Sequence, residues 1–163
     1  MKRMHAVLAA LSCIALAACS GDDAPSAPQG PVDAGTRDSA DGAGQGLAAY
    51  VGKYPFDEVD GATWEKNQQV IDGVQSTVTD PAIAKRVLDY TGPAAPIAMI
   101  DGMVVAGVCE AHDCSDHNWE IFIDPANGAT QVCYHDQART PGRSIWFLPG
   151  GKREERDGAC AIK

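Results

Sequence analysis

The chain has 163 residues, with 13 basic against 22 acidic side chains and a formal net charge of −9. That balance argues against charge-driven binding to nucleic acid or to an anionic membrane surface, and it would draw in a basic partner from a distance. Six cysteines in so short a chain make its redox compartment the next question.

Lys2 and Arg3 precede the apolar run 6–15, which has the form of the n- and h-regions of a secretory signal peptide and is too short to span a bilayer. The run ends in Leu16-Ala17-Ala18-Cys19, which resembles the lipobox of bacterial lipoproteins. The resemblance implies a signal peptide over 1–18, a lipid anchor on Cys19, and, with Ser20 beside it, sorting to the outer membrane facing the periplasm. Removal of 1–18 takes away Lys2 and Arg3 and no acidic residue, so the net charge becomes −11. Residues 20–46 are rich in Gly, Ala, Pro, Ser and Asp with almost no large apolar side chain, too little to offset the entropy of ordering. Residues 19–46 therefore read as a lipid-anchored flexible tether, and 47–163 as one domain with a modest core, carrying 17 acidic and 10 basic residues.

The fold class predicted for 47–163 is α+β, with N-terminal helices packed on an antiparallel sheet of about five strands and disulfides holding it. Asp60 or Thr63 is placed to cap a first helix carrying Trp64, Val70, Ile71 and Val74 on one face. A second helix is predicted from Asp80 as N-cap and Pro81 at the first helical position, through Ile83, Val87 and Leu88, ending near Tyr90 before Gly92-Pro93. The pattern then changes to β. The runs 96–100 and 103–108 flank Asp101-Gly102, a hairpin turn signal. Trp119, Ile121 and Ile123 alternate with Glu120, Phe122 and Asp124, and the turn 125–128 leads into a strand over 129–135. A last strand is predicted at 145–148, followed by a Gly-rich charged tail. Sheet edges in such an arrangement permit a homodimer.

With Cys13 in the signal peptide and Cys19 acylated, Cys109, Cys114, Cys133 and Cys160 remain. An even count in an oxidising compartment points to two disulfides with three possible connectivities. Cys109 with Cys114 and Cys133 with Cys160 is favoured, the first because the two are close in sequence and the second because it ties down the tail. The first shapes a loop at the tip of the sheet, Cys109-Glu110-Ala111-His112-Asp113-Cys114, which presents one imidazole. A rigid protruding loop is where recognition residues are expected; the plainer reading is a stapled β-connection with His112 solvated.

The pattern Cys-Xaa-Xaa-His-Asp-Cys at the exit of an apolar strand resembles the inhibitory loop of the Ivy family, bacterial inhibitors of vertebrate (C-type) lysozyme, in which the loop reads Cys-Lys-Pro-His-Asp-Cys. Cys109, His112, Asp113 and Cys114 match; Glu110 and Ala111 stand where the family has Lys and Pro. The segment Tyr50-Val51-Gly52-Lys53-Tyr54-Pro55-Phe56-Asp57 is also similar to exported Ivy-like proteins, and helices before an antiparallel sheet is the family's order. The Cys133 and Cys160 pair, the lipid anchor and the short tail depart from the best-known members. The resemblance implies an inhibitor and not an enzyme, with no cofactor or metal, whose partner is a basic C-type lysozyme. His112 would enter the cleft between two catalytic carboxyl groups, Asp113 would orient the imidazole or meet a basic cleft residue, and Glu110 would need a basic group to face.

Two other classes are open on sequence. One is an envelope lipoprotein that binds a different protein through the same loop. The other is a zinc module on Cys109, His112, Cys114 and His117, spaced as four soft or borderline ligands. Catalysis by His135-Asp136 or His112-Asp113 lacks an accompanying nucleophile or phosphate-binding motif.

Overall fold

In the computed structural model, residues 46–161 are described. The expected signal peptide, Cys19 and most of the tether lie outside them. A 3-10 turn at Trp64–Lys66 is followed by helix α1 (Gln68–Thr77) and helix α2 (Pro81–Leu88), then strands β1 (Ala98–Ile100), β2 (Met103–Cys109), β3 (His117–Ile123), β4 (Thr130–Asp136), β5 (Arg143–Leu148) and β6 (Lys152–Asp157). Each strand pairs antiparallel with the next, giving a six-stranded meander. The class is α+β, as the sequence predicts, with one strand more than expected.

The single first helix expected from Trp64 to Val74 is two pieces. Asn67 takes an extended backbone and its side chain accepts a hydrogen bond from the Gln69 amide, so it is Asn67 that caps α1. Asp60 has a φ of 51° beside Gly61, and Thr63 makes no side-chain cap bond. The second helix forms as read: Asp80 Oδ1 accepts from the amides of Ala82 and Ile83, and Pro81 occupies the first turn. Asp101 and Gly102, with φ of 50° and 81°, close the β1–β2 hairpin in the doubly left-handed form that two-residue turns require.

Alternation along the strands sorts the sheet into two faces. Val104, Ala106 and Val108 of β2, Trp119, Ile121 and Ile123 of β3, Val132 and Tyr134 of β4, and Ile145 and Phe147 of β5 meet Val70 and Val74 of α1 and Ile83 and Val87 of α2 in one core. On the opposite face Glu120 lies across from Cys133, and Cys133 across from Trp146. The C-terminal segment returns over that face: Cys160 is bonded to Cys133, and its amide donates to Asn118 Oδ1 at 3.0 Å. β6 is exposed at every position. It is held to the sheet by backbone pairing with β5, by Arg143 of β5 paired with Glu155 and Asp157, and by Arg156, whose guanidinium lies 4.0 Å over the Trp146 ring.

Candidate partner-binding site

The loop 109–114 leaves the end of β2 and returns into β3, and its two ends are fixed from several sides. The Cys109 amide donates to the Pro93 carbonyl (3.0 Å), and the Glu110 amide to that of His117 (3.0 Å). Ala94 bridges to Val108, so the chain ahead of β1 continues along β2 to the foot of the loop. Gly92 is needed there: a Cβ at that position would stand 1.8 Å from the Cys109 carbonyl oxygen. Cys109 and Cys114 are joined by a disulfide with their Cα atoms 4.8 Å apart.

Inside the ring, the Asp113 amide donates to the Glu110 carbonyl at 3.1 Å, closing a four-residue turn with Ala111 and His112 at its centre. His112 has a φ of 66°, the sign that a type II turn demands at its third residue. Histidine is among the residues that tolerate this region. The turn displays the His112 side chain outward, and the residue is exposed. Ala111 at the second position is where such turns favour proline.

Asp113 does not hold His112. Its carboxylate accepts from His117 Nδ1 at 2.7 Å, and the same nitrogen lies 3.5 Å from Glu110 Oε2. Nε2 of His117 faces Asp136 of β4 at 3.5 Å. Glu110 meets Arg86 of α2 at 2.8 Å, so the basic group it needs is supplied from within the chain. His117 and Arg86 thus anchor the two acidic loop residues to β3 and α2. Sequence reading assigned neither of them this part, since Arg86 lies 24 residues from Glu110 and nothing local marks the pair.

The zinc set is not assembled. The sulfurs of Cys109 and Cys114 are bonded to each other, and His117 is turned to carboxylates. Among the described residues no group of three or more potential ligands is placed to hold a metal ion. The His135-Asp136 pair is also divided: His135 is buried and its Nδ1 donates to the Arg143 carbonyl at 2.7 Å, while Asp136 accepts from the amides of Ala138 and Arg139.

Beneath the ring runs a file of aromatic rings: Phe56 against Tyr90 (6.0 Å between centroids), Tyr90 against Trp119 (6.2 Å), Trp119 against Tyr134 (6.4 Å). Burial, with Glu65 nearby, pushes the Tyr90 hydroxyl far above its usual range, so the ring stays neutral. A groove of about 510 Å³ separates the ring from α2, lined by Arg86, Tyr90, Gly92, Glu110 and Trp119 among others. A hollow of about 670 Å³ opens on the other side, between Phe56 and His112.

Residues 73–143 match the family model described as Inhibitor of vertebrate lysozyme (Ivy). Over that stretch, somewhat less than half of the chain, the protein is similar to the Ivy family. The match runs from α1 to the start of β5 and contains the whole loop, with Arg86 and His117. That description names an inhibitor, with a lysozyme as its target. Searches of curated proteins and of solved structures returned no match.

Proposed function

We propose that this protein is an Ivy-type inhibitor of C-type lysozyme and acts by inserting the loop 109–114 into the catalytic cleft, with the His112 imidazole between the two catalytic carboxyl groups. The observation that carries the reading is His112 itself: an exposed imidazole at the left-handed position of a turn, inside a disulfide ring, within the matched segment. A retaining glycosidase holds its two carboxyl groups about 5 Å apart, and one imidazole can offer a ring nitrogen to each. Between two acids the protonated ring is favoured, which makes the contacts charge-assisted. Holding the loop in one shape before encounter lowers the ordering cost of association. The acidic domain attracts a basic lysozyme, an effect that speeds encounter and weakens with salt. The internal pairing of Glu110 with Arg86 supports the same reading, because it offsets the carboxylate that would otherwise oppose the target's acids.

Cys19 is proposed to anchor the protein by lipid to the outer membrane, facing the periplasm, with 20–46 as the reach between membrane and domain. The test titrates lysozyme with the oxidised protein, the His112→Ala variant and the reduced, alkylated protein. Stoichiometric inhibition by the first and its loss in the other two is expected; no inhibition by the oxidised wild-type protein refutes the proposal.

A further inference from the structure

Among the described residues four large hydrophobic side chains are exposed, and three of them, Val51 (38%), Tyr54 (48%) and Phe56 (45%), belong to one short segment. That segment is held firmly. Tyr50 is buried, its ring set edge-on to Trp64 at 5.5 Å, and its hydroxyl donates to the Ala62 carbonyl at 2.8 Å. The Gly52 amide donates to the Ile97 carbonyl and the Ile97 amide to that of Lys53, both at 2.7 Å. The Trp64 amide donates to the Pro55 carbonyl, and Asp57 Oδ2 accepts from the Tyr54 amide. Phe56 is therefore displayed on a fixed ledge, half exposed, with its other side against Tyr90.

Phe56 and His112 line the same hollow, whose floor and walls include Glu65, Tyr90, Pro93 and Ala111. Glu65 has one carboxylate oxygen bonded to Thr63 Oγ1 at 2.6 Å and the other buried without a hydrogen-bond partner. An aromatic wall with a carboxylate among its lining residues suits a long basic side chain, its aliphatic stem along the ring and its charge drawn toward the acid. Asp57, Glu58 and Asp60 add negative charge to the same segment.

We infer that the Phe56 ledge is the second half of the lysozyme contact, taking a lysine or arginine from the lip of the cleft that receives His112. The inference rests on the loop reading above and extends it to a part of the chain outside 73–143. Exposed aromatics at the centre of a contact carry a disproportionate share of binding energy, and a ledge continuous with the loop lets one rigid approach engage both.

The experiment measures lysozyme inhibition constants at low and moderate salt for the full mature protein and for Phe56→Ala, Glu65→Gln and His112→Ala, with thermal melts alongside. The expected result is a tenfold or larger rise in the inhibition constant for Phe56→Ala through faster dissociation, with a cooperative melt lowered only modestly by loss of the Tyr90 contact, and for Glu65→Gln weaker inhibition with a shallower salt dependence. Inhibition at wild-type strength by both ledge variants, with His112→Ala inactive, overturns the ledge and leaves the loop reading standing. Loss on Phe56→Ala with His112→Ala unaffected keeps the ledge and overturns the loop. A wild-type protein that does not inhibit overturns both.

Discussion

Replacing Gly92 by alanine tests how the loop is held. The added Cβ would lie 1.8 Å from the Cys109 carbonyl oxygen, 3.0 Å from its carbonyl carbon and 3.1 Å from the Ala111 nitrogen. All three are backbone atoms, so no side-chain rotation relieves the contact. Bringing the oxygen out to 3.0 Å needs a movement of about 1.2 Å. Cys109 resists that movement because its amide is bonded to Pro93 and its sulfur to Cys114. Overpacking of this kind costs about 1–3 kcal/mol, and loss of the Cys109 to Pro93 hydrogen bond adds about 1 kcal/mol. The expected loss is thus about 2–4 kcal/mol, or a fall of about 1–2 M in the urea midpoint with a slope near 2 kcal/mol/M. The same displacement moves His112, so inhibition is expected to weaken together with stability. Urea unfolding of the oxidised protein and lysozyme inhibition are measured together. A variant with unchanged midpoint and unchanged inhibition would refute the argument that the 92–95 segment sets the position of the loop.

Three further outcomes follow from the same geometry. Removing the Cys133–Cys160 bridge by paired serines is expected to cost about 3.5 kcal/mol, and removing Cys109–Cys114 about 2 kcal/mol, from loop lengths of 27 and 5 residues in the chain-entropy model; calorimetry of the two variants should nevertheless show the greater loss of inhibition in the less destabilised one. Arg86→Ala is expected to change stability by less than about 1 kcal/mol, since both members of its pair are roughly half exposed, yet to weaken inhibition at low salt, because Glu110 then faces the target with its charge uncompensated; equal inhibition constants at low salt would count against the role given to Arg86. In alkaline titration followed by phenolate absorbance, Tyr90 and Tyr134, both raised chiefly by burial, should stay neutral after ordinary tyrosines have ionised. The sign follows from linkage: the unfolded chain ionises near pH 10 while the folded one does not, so stability is intact below that pH and falls above it. The last phenolates should therefore appear together with unfolding.

What the sequence made legible were the features whose signals are local. Asp80-Pro81 specifies a helix start through two backbone amides and one ring, and both act within four residues. Asp101-Gly102 specifies a turn because few residue pairs tolerate two left-handed φ angles in succession. The apolar alternation in β3 sorts its side chains without reference to the rest of the chain. β6 was not legible, and the reason is physical: the sequence Lys-Arg-Glu-Glu-Arg-Asp buries nothing, so it has no hydrophobic period to read. It is a strand because Gly150 and Gly151, both with positive φ, turn the chain back onto β5. The break at Asn67 was missed for the opposite cause, since Trp64 and Val70 share the core face and the apolar spacing runs on through a residue whose side chain caps the second piece.

The site divides in the same way. The ring and its histidine announce themselves within six residues, but the groups that orient them do not. The resemblance has Asp113 orient the imidazole or meet a basic cleft residue; the first does not occur here, because the turn that projects His112 outward directs Asp113 back to His117, four residues further along. Arg86 reaches Glu110 only because α2 packs against the core beside the end of β2, a tertiary relation with no local trace. The consequence for function is that the charge of this loop is not a property of its six residues. Glu110 stands where the resembling loop has a lysine, yet the pair Glu110 and Arg86 is neutral together, and the acid is oriented toward α2. A loop of this kind can therefore carry an acid next to its histidine, because a residue elsewhere in the fold restores the local charge while the disulfide keeps the turn.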